Sequence, residues 1–425
     1  MKHTHGHGLK IFLRVAVALM VVFAFSAAAF AAPGADAAAV AEAPHVRVVI
    51  DGAAGSYTDT PIEINSRILL PFREILTKLG VPNDDDHIIW NEEEESVTVK
   101  DGKNEIRLVI GNPDMTLNGE VKTFDVAPYF YEKNNRTYVP VRAVSELLNK
   151  KVMWEDASST VYVRNAKNYE ETVALLKKVQ DAGTQKKVQA VADCKIKLKL
   201  STDGAPIPGA DSDGVLSMTM DLTQDIKADL DNDVMFVGQK INVMGTRISS
   251  DMYILNKKAF VKIDAPGAEW TDVAAESGMD MGTMLDQISM VGGQMDSRPP
   301  EDVAMGLTAV KGADGSYSLT GELVNISDVN KLLNNMTGMM ATTPEMEMKM
   351  TISKFQIGEK LNKDLTPAEA IMTLIARMEV KETDGEGGAV TIIADIDMNM
   401  NVKYESVGPD FEVVVPDAVK KLAGK

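Results

Sequence analysis

The histidines are His3, His5, His7, His45 and His87, and Cys194 is the one cysteine. A transition-metal centre needs three or four imidazole, thiolate or carboxylate ligands on one spot, and downstream of His87 no imidazole is available to build one. The same shortage excludes Ser-His-Asp and Cys-His nucleophilic sites there. A single thiol makes neither an intrachain disulfide nor a CxxC redox pair. Acids cluster at Asp225, Asp229, Asp231 and Asp233. A calcium loop begun at Asp229 would place Val234 where the turn needs glycine and Lys240 where the bidentate glutamate belongs. Asp211-Ser-Asp213-Gly214 fails too, because Gly209 falls on the first ligand position. Both read as solvated acidic turns. No phosphate loop, GxSxG, HExxH or dinucleotide fingerprint stands in a fitting context. The chain therefore reads as non-enzymatic, with no cofactor and no metal.

Methionine is the other chemical signal, since 21 of the 25 lie after residue 165. Thioether side chains are flexible, so they fill irregular cores. They serve equally as a plastic lining for an apolar ligand. A third reading is thioether capture of Cu(I) by Met346-x-Met348-x-Met350, which on a strand would share one face about 6.6 Å apart. Strand phase nominates Met218, Met220, Met235, Met244, Tyr253 and Trp270 as ligand contacts. The expected partner is a lipid or other apolar small molecule, with a cell-wall component as the second class. Lys+Arg is 44 against Asp+Glu 62, a net charge of −18. That surplus argues against nucleic acid and against docking on anionic lipid.

The elements that must carry these residues begin with an export signal. Lys2, Lys10 and Arg14 precede an apolar run, Val15 to Phe25, and small residues lead to Ala29-Phe30-Ala31. This predicts a signal peptide over 1–31, cleaved after Ala31, and an Ala-rich leader over 32–45. The mature protein is expected to be secreted and associated with the cell envelope. No cysteine sits directly after the apolar run, so the usual lipoprotein anchor is not expected.

An internal repeat follows. One copy reads Arg67-Ile-Leu-Leu-Pro71-Phe-Arg73 through Leu79-Gly80, the other Arg136-Thr-Tyr-Val-Pro140-Val-Arg142 through Leu148-Asn149. Each reaches a tryptophan, Trp90 or Trp154, and then a Val-x-Val strand. The acidic stretch Pro82-Asn-Asp-Asp-Asp86 marks an insertion in the first copy. Each proline ends a strand and opens a helix at its first turn. Ile75, Leu76 and Leu79, like Val144, Leu147 and Leu148, form helical stripes. Gly80 and Asn149 suit left-handed helix ends. Pro71, Arg73, Trp90, Pro140, Arg142 and Trp154 are expected to be structural.

Leu117-Asn118-Gly119, Arg136-Thr137-Tyr-Val139-Pro140-Val-Arg142 and Val152-Met-Trp154-Glu155 resemble the copper amine oxidase N-terminal-like, or stalk, domain of secreted Gram-positive proteins. The resemblance covers 46–164 and implies a small antiparallel sheet packed on helices. It does not bring copper chemistry with it. Asn168-Tyr169-Glu170 looks like the quinone-forming motif of such oxidases, but the three copper histidines cannot be assembled here.

Residues 168–190 read as a helix, with Val173, Leu176 and Val179 on one face. Beyond it, Cys194–Leu200, Val215–Leu222, Glu345–Ile352 and Ile392–Val402 alternate at period two, as half-buried strands do. Short helices are expected at Thr283–Met290, at Ser327–Met340 and after Pro416. Met252-Tyr253-Ile254, Phe260-Val261-Lys262-Ile263 and Glu269-Trp270-Thr271 resemble the hairpin of the LolA/LppX-like lipoprotein-carrier superfamily. Val413-Val-Val-Pro416-Asp-Ala418 is similar to its closing strand and helix. That resemblance implies a half-barrel over 165–425. The fold class expected is α+β: a duplicated strand-helix-strand module, then a large curved antiparallel β-sheet with packed helices. The function expected is an exported, non-catalytic binding protein; the alternative is a structural or cell-wall interaction module with no small ligand.

Overall fold

A computed structural model describes residues 40–102, 104–182, 187–203, 207, 209–256, 258–273, 299–322, 346–383, 389–408 and 411–424. The segment read as a signal peptide with its expected cleavage site at Ala31, most of the expected leader, and the helices expected at 283–290 and 327–340 lie outside the described residues. The chain divides into two compact units. One holds residues up to Thr172 with Ala304–Thr308, the other Val173–Val303 with Ala309–Lys425.

The first unit is organised around two strands that end in proline. Strand β1 (Ile62–Ile64) pairs with β2 (Arg67–Pro71), which runs into helix α1 (Phe72–Lys78). Strands β3 (Ile88–Asn91) and β4 (Ser96–Asp101) follow as a hairpin that sets Trp90 opposite Val97. Further on, β5 (Tyr129–Tyr131) pairs with β6 (Arg136–Pro140), which leads into α2 (Val141–Leu147). The hairpin β7 (Lys150–Glu155) and β8 (Thr160–Asn165) sets Trp154 opposite Val161. Strands β2 and β6 pair antiparallel with each other, Leu70 facing Val139.

Each proline occupies the N-cap rather than the first helical turn. Pro71 and Pro140 keep extended ψ angles of 126° and 121°, so the strand geometry runs through the ring and the helix starts one residue later. The helical stripes Ile75, Leu76, Leu79 and Val144, Leu147, Leu148 are buried in one cluster with Leu70, Val139, Val97 and Val161. Gly80 (φ +102°) and Asn149 (φ +55°) close the two helices in left-handed geometry. At Gly80 that geometry would strain any side-chain-bearing residue.

The second unit is mostly β-sheet and curls into a half-barrel. Helix α3 (Ala166–Ala182) leads towards it. The strands are β9 (Lys187–Thr202), β10 (Leu216–Asp229), β11 (Val234–Val243), β12 (Thr246–Leu255), β13 (Lys258–Ile263), β14 (Thr271–Asp272), β15 (Leu307–Lys311), β16 (Tyr317–Glu322), β17 (Met346–Leu361), β18 (Pro367–Thr383) and β19 (Ala389–Val407). They form one 11-stranded sheet in which β9 pairs with β10 on one side and with the last strand, β19, on the other. The first and last long strands thus meet mid-sheet, and two meanders run outward from them. Register shifts at Gln189/Ala190 and Ile352/Lys354 bend the long strands, as bulges do.

Leu175 of α3, with Leu176 and Val179, packs on Leu319 and Leu361. The stripe on α3 is therefore centred on Leu175 rather than Val173. A terminal helix, Asp417–Leu422, follows Pro416 as expected. Val413–Val415, expected to be a strand, makes no ladder. It lies instead against the sheet's aromatic cluster, where packing stands in for strand pairing.

Candidate functional site

The two faces of the large sheet have different chemistry. Register places Met220 opposite Ile196 and Val243, Met218 opposite Leu198, Met400 opposite Cys194 and Met372, and Met378 opposite Met350. Met235 and Met252 have the same phase, paired with Ile254 and Val237. All of them project from one side, the methionine face. It is closed over its middle, where Ala370, Met372 and Val402 are fully buried and Met400 nearly so. Towards one end, Leu198, Leu200, Met218, Met220, Met378 and Ile396 are only half-buried. Nearby, Ile248 and Ile392 are 46% and 38% exposed. An apolar surface thus runs from packed interior to solvent.

Polar groups interrupt it: Gln224, Gln239 and Ser250 lie side by side across β10, β11 and β12, and Glu359 and Tyr404 are on the same face. Glu359 lies opposite Leu319 and Ala370, and its Oε1 is buried without a hydrogen-bond partner. Burial pushes its carboxyl up to about 7. The Tyr404 hydroxyl is also buried and unpartnered, and both burial and the Glu359 charge raise it. Cys194 is buried on the same face, its thiol pushed up to about 12 by desolvation, so it is inert as a nucleophile.

The opposite side is the aromatic face. Phe236, Tyr253 and Trp270 have ring centroids 5.1 and 5.4 Å apart, and Phe260 is fully buried beside them. Val419 of the terminal helix covers the cluster, and the Tyr253 hydroxyl donates to the Val414 carbonyl at 2.9 Å. The next row is Asp225, Gly238, Asp251 and Lys262, each directly opposite its neighbour. A cavity of ≈ 590 Å³ lies over this row, walled by Phe236 and Trp270. Gly238 keeps it open: a Cβ there would come within 3.1 Å of the Phe236 ring and 3.3 Å of the Asp251 carboxylate.

The predicted contact set divides between these surfaces. Met218 and Met220 lie at the open end of the methionine face, and Met235 lies on that face near its far end. Tyr253 and Trp270 belong to the other face, and only Trp270 lines the 590 Å³ cavity. Met244 has φ +49° at the β11–β12 turn and is 72% exposed, which puts it on neither lining. The six do not form one site. Sequence reasoning missed the Asp225–Gly238–Asp251–Lys262 row, whose signal lies in cross-strand register rather than in any single strand. It also missed Glu359, although the run Phe355, Ile357, Glu359, Leu361 carries an acid in a buried phase.

In the first unit a smaller cavity of ≈ 190 Å³ is lined by Pro140, Arg142, Trp154, Arg67, Phe124 and Val161, among others. Arg67 is held by Asp125 at 2.6 Å. The Trp154 indole donates to Asp156. Pro71 caps α1, where Phe72 is 6.3 Å from Trp90 and under the Arg73 guanidinium. Among the described residues, no three His, Cys, Asp or Glu side chains are placed to hold a metal ion.

Comparison with known proteins finds a similarity in the first unit. Residues 49–163 match the family model of the copper amine oxidase N-terminal domain. In copper amine oxidases that domain is non-catalytic. No curated protein matches the chain. Among solved structures, the ywiB protein of Bacillus subtilis aligns at 8% identity over 52% of this chain and 94% of its own, with a TM-score of 0.16. A β-barrel-like protein of a domain of unknown function from Brucella abortus aligns at 11% identity, over 50% and 98%, with a TM-score of 0.17.

Proposed function

We propose that this chain is an exported, non-catalytic binding protein of the cell envelope that holds a lipid or similar apolar ligand at the open end of its methionine face. The observation that carries the reading is the gradient along that face, from fully buried Met372 and Met400 to half-buried Met218, Met220 and Met378. A contiguous apolar surface that meets solvent is costly to leave bare, and thioether side chains can repack around chains of differing shape. The first unit serves as a stalk built from a duplicated strand-helix-strand module, and the second as a carrier-like half-barrel.

The second reading is a structural or wall-interaction module, favoured by the close packing at Ala370, Met372 and Val402. Native mass spectra of the full chain, purified from a host with an envelope and recorded before and after organic extraction, separate the two. An extractable mass of several hundred daltons is the expected result. A bare chain that takes up no added fatty acid or phospholipid sinks the lipid reading in favour of the structural one.

A further inference from the structure

The two proline-helix segments treat their arginines differently. Arg73 is satisfied within the chain: its guanidinium donates to Asn83 Oδ1 at 3.5 Å, Asp85 Oδ1 at 3.2 Å and the Ile88 carbonyl at 3.3 Å. Asn83 and Asp85 come from the acidic insertion that distinguishes the first copy. Phe72 fills the remaining space against Trp90. In the second copy Val141 replaces Phe72, and the insertion is missing. Among the described residues Arg142 pairs with Glu146 of its own helix, at 3.6 Å, and it lies on the wall of the 190 Å³ cavity beside Trp154.

We infer that the Arg142 cavity is a binding site for a carboxylate-bearing peptide turn, seated as the Asn83–Asp85 turn is seated on Arg73. The chain supplies its own template for the occupant. A guanidinium presents several fixed donors that match a carboxylate, Trp154 offers a flat apolar wall, and the floor is aliphatic. The smaller Val141 leaves the space that Phe72 closes in the first copy. This inference rests on the duplicated-module reading of the first unit and is independent of the lipid reading of the second.

The test is titration of the full chain with a synthetic peptide of sequence Val81–His87, following the indole N–H resonance of Trp154 by NMR. A saturable shift is expected, with an Asn-for-Asp version of the peptide leaving the resonance in place. Arg142→Gln, at an exposed side chain, should weaken binding by about tenfold, the cost of one charge-assisted hydrogen-bond pair. Val141→Phe, which keeps the arginine and closes the cavity, should abolish the shift. A Trp154 resonance unmoved by millimolar peptide, or an Arg142→Gln variant that binds as tightly as the parent, overturns the site. So does a shift produced by an acidic polysaccharide and not by the peptide. A separate arm deletes residues 82–86. If the copies are equivalent, the Trp90 resonance then becomes peptide-sensitive; if it does not, the equivalence fails while any binding at Arg142 stands.

Discussion

The methionine and aromatic faces of the large sheet are made by the same strands in alternate phase, yet they are held in place differently. On the aromatic face Tyr253 meets Phe236 and Trp270 at fixed tilts, a helix covers the group, and a hydrogen bond from Tyr253 ties the cluster to the chain's last stretch. Rigid rings with few torsions give one geometry and little freedom. The methionine face is held by long unbranched side chains whose burial fades along the strands. Such a surface adjusts to what covers it. One face therefore contributes shape and the other accommodation, and five variants probe that division.

The largest effect of a single substitution belongs to the aromatic face. Phe260 is fully buried in the same cluster. Phe260→Ala should destabilise the second unit by about 3–5 kcal/mol, the usual cost of removing a buried ring. Urea unfolding followed by tryptophan fluorescence measures it, since Trp270 belongs to the cluster. A loss below about 1 kcal/mol would mean that the face collapses freely onto the gap and is not the rigid partner in the comparison.

Glu359 tests the packed middle of the methionine face. Its folded value of about 7 exceeds the ordinary 4.5 because burial disfavours the charged form. An acid raised in this way favours the fold most fully below the unfolded value, and the advantage is lost as pH rises through 4.5 towards and past 7. Glu359→Gln removes the ionisation, so it should gain up to about 3 kcal/mol over the parent at pH 8 and almost nothing at pH 4. Urea midpoints across that range give the result. Parallel profiles for the two proteins would show that the carboxyl is solvated in the fold.

A smaller effect is expected at the hydroxyl that pins the aromatic cluster. Tyr253→Phe keeps the ring contacts and removes the donor to Val414, at a cost of about 1 kcal/mol. Hydrogen exchange at 413–422 should increase in the variant, because that stretch makes no strand ladder of its own. Unchanged exchange there would assign the anchoring to Val419 alone.

Much of the fold was legible for physical reasons. Proline cannot donate to a ladder, so Pro71 and Pro140 end their strands; glycine and asparagine tolerate positive φ, so Gly80 and Asn149 end their helices. Alternation predicted long half-buried strands; β9 and β19 cover Cys194–Leu200 and Ile392–Val402, and β10 and β17 take in the other two stretches from Leu216 and Met346 onward. The sites were less legible because alternation is blind to which face is which. In β12 both phases are apolar: Met252 and Ile254 point one way, Tyr253 and Leu255 the other. Only pairing with β11 and β13 separates them, and that is long-range information. Met244 was misplaced because Met244-Gly245 makes a turn, ending the strand phase that the prediction extended. The Arg73–Asp85 contact needed the insertion to fold back across its helix, which spacing does not encode.

The smallest expected stability change carries the most functional content. Met218 and Met220 occupy the half-buried end of the methionine face, beside Leu198 and Ile196. Replacing both with glutamine keeps their length and flexibility and adds an amide that the adjoining solvent can hydrate. The pair should cost no more than about 1 kcal/mol, because little fully buried area is lost. It should nevertheless abolish retention of an extractable ligand, since an acyl chain laid there would meet unpaired amides as it displaced their water. The same change at Met372 and Met400, both in the closed middle, should prevent folding of the second unit. If the outer pair proves as damaging as the inner pair, the gradient of burial does not mark an open end. If the outer pair folds normally and still retains ligand, the apolar ligand binds elsewhere, and the cavity over Gly238 becomes the surface to test next.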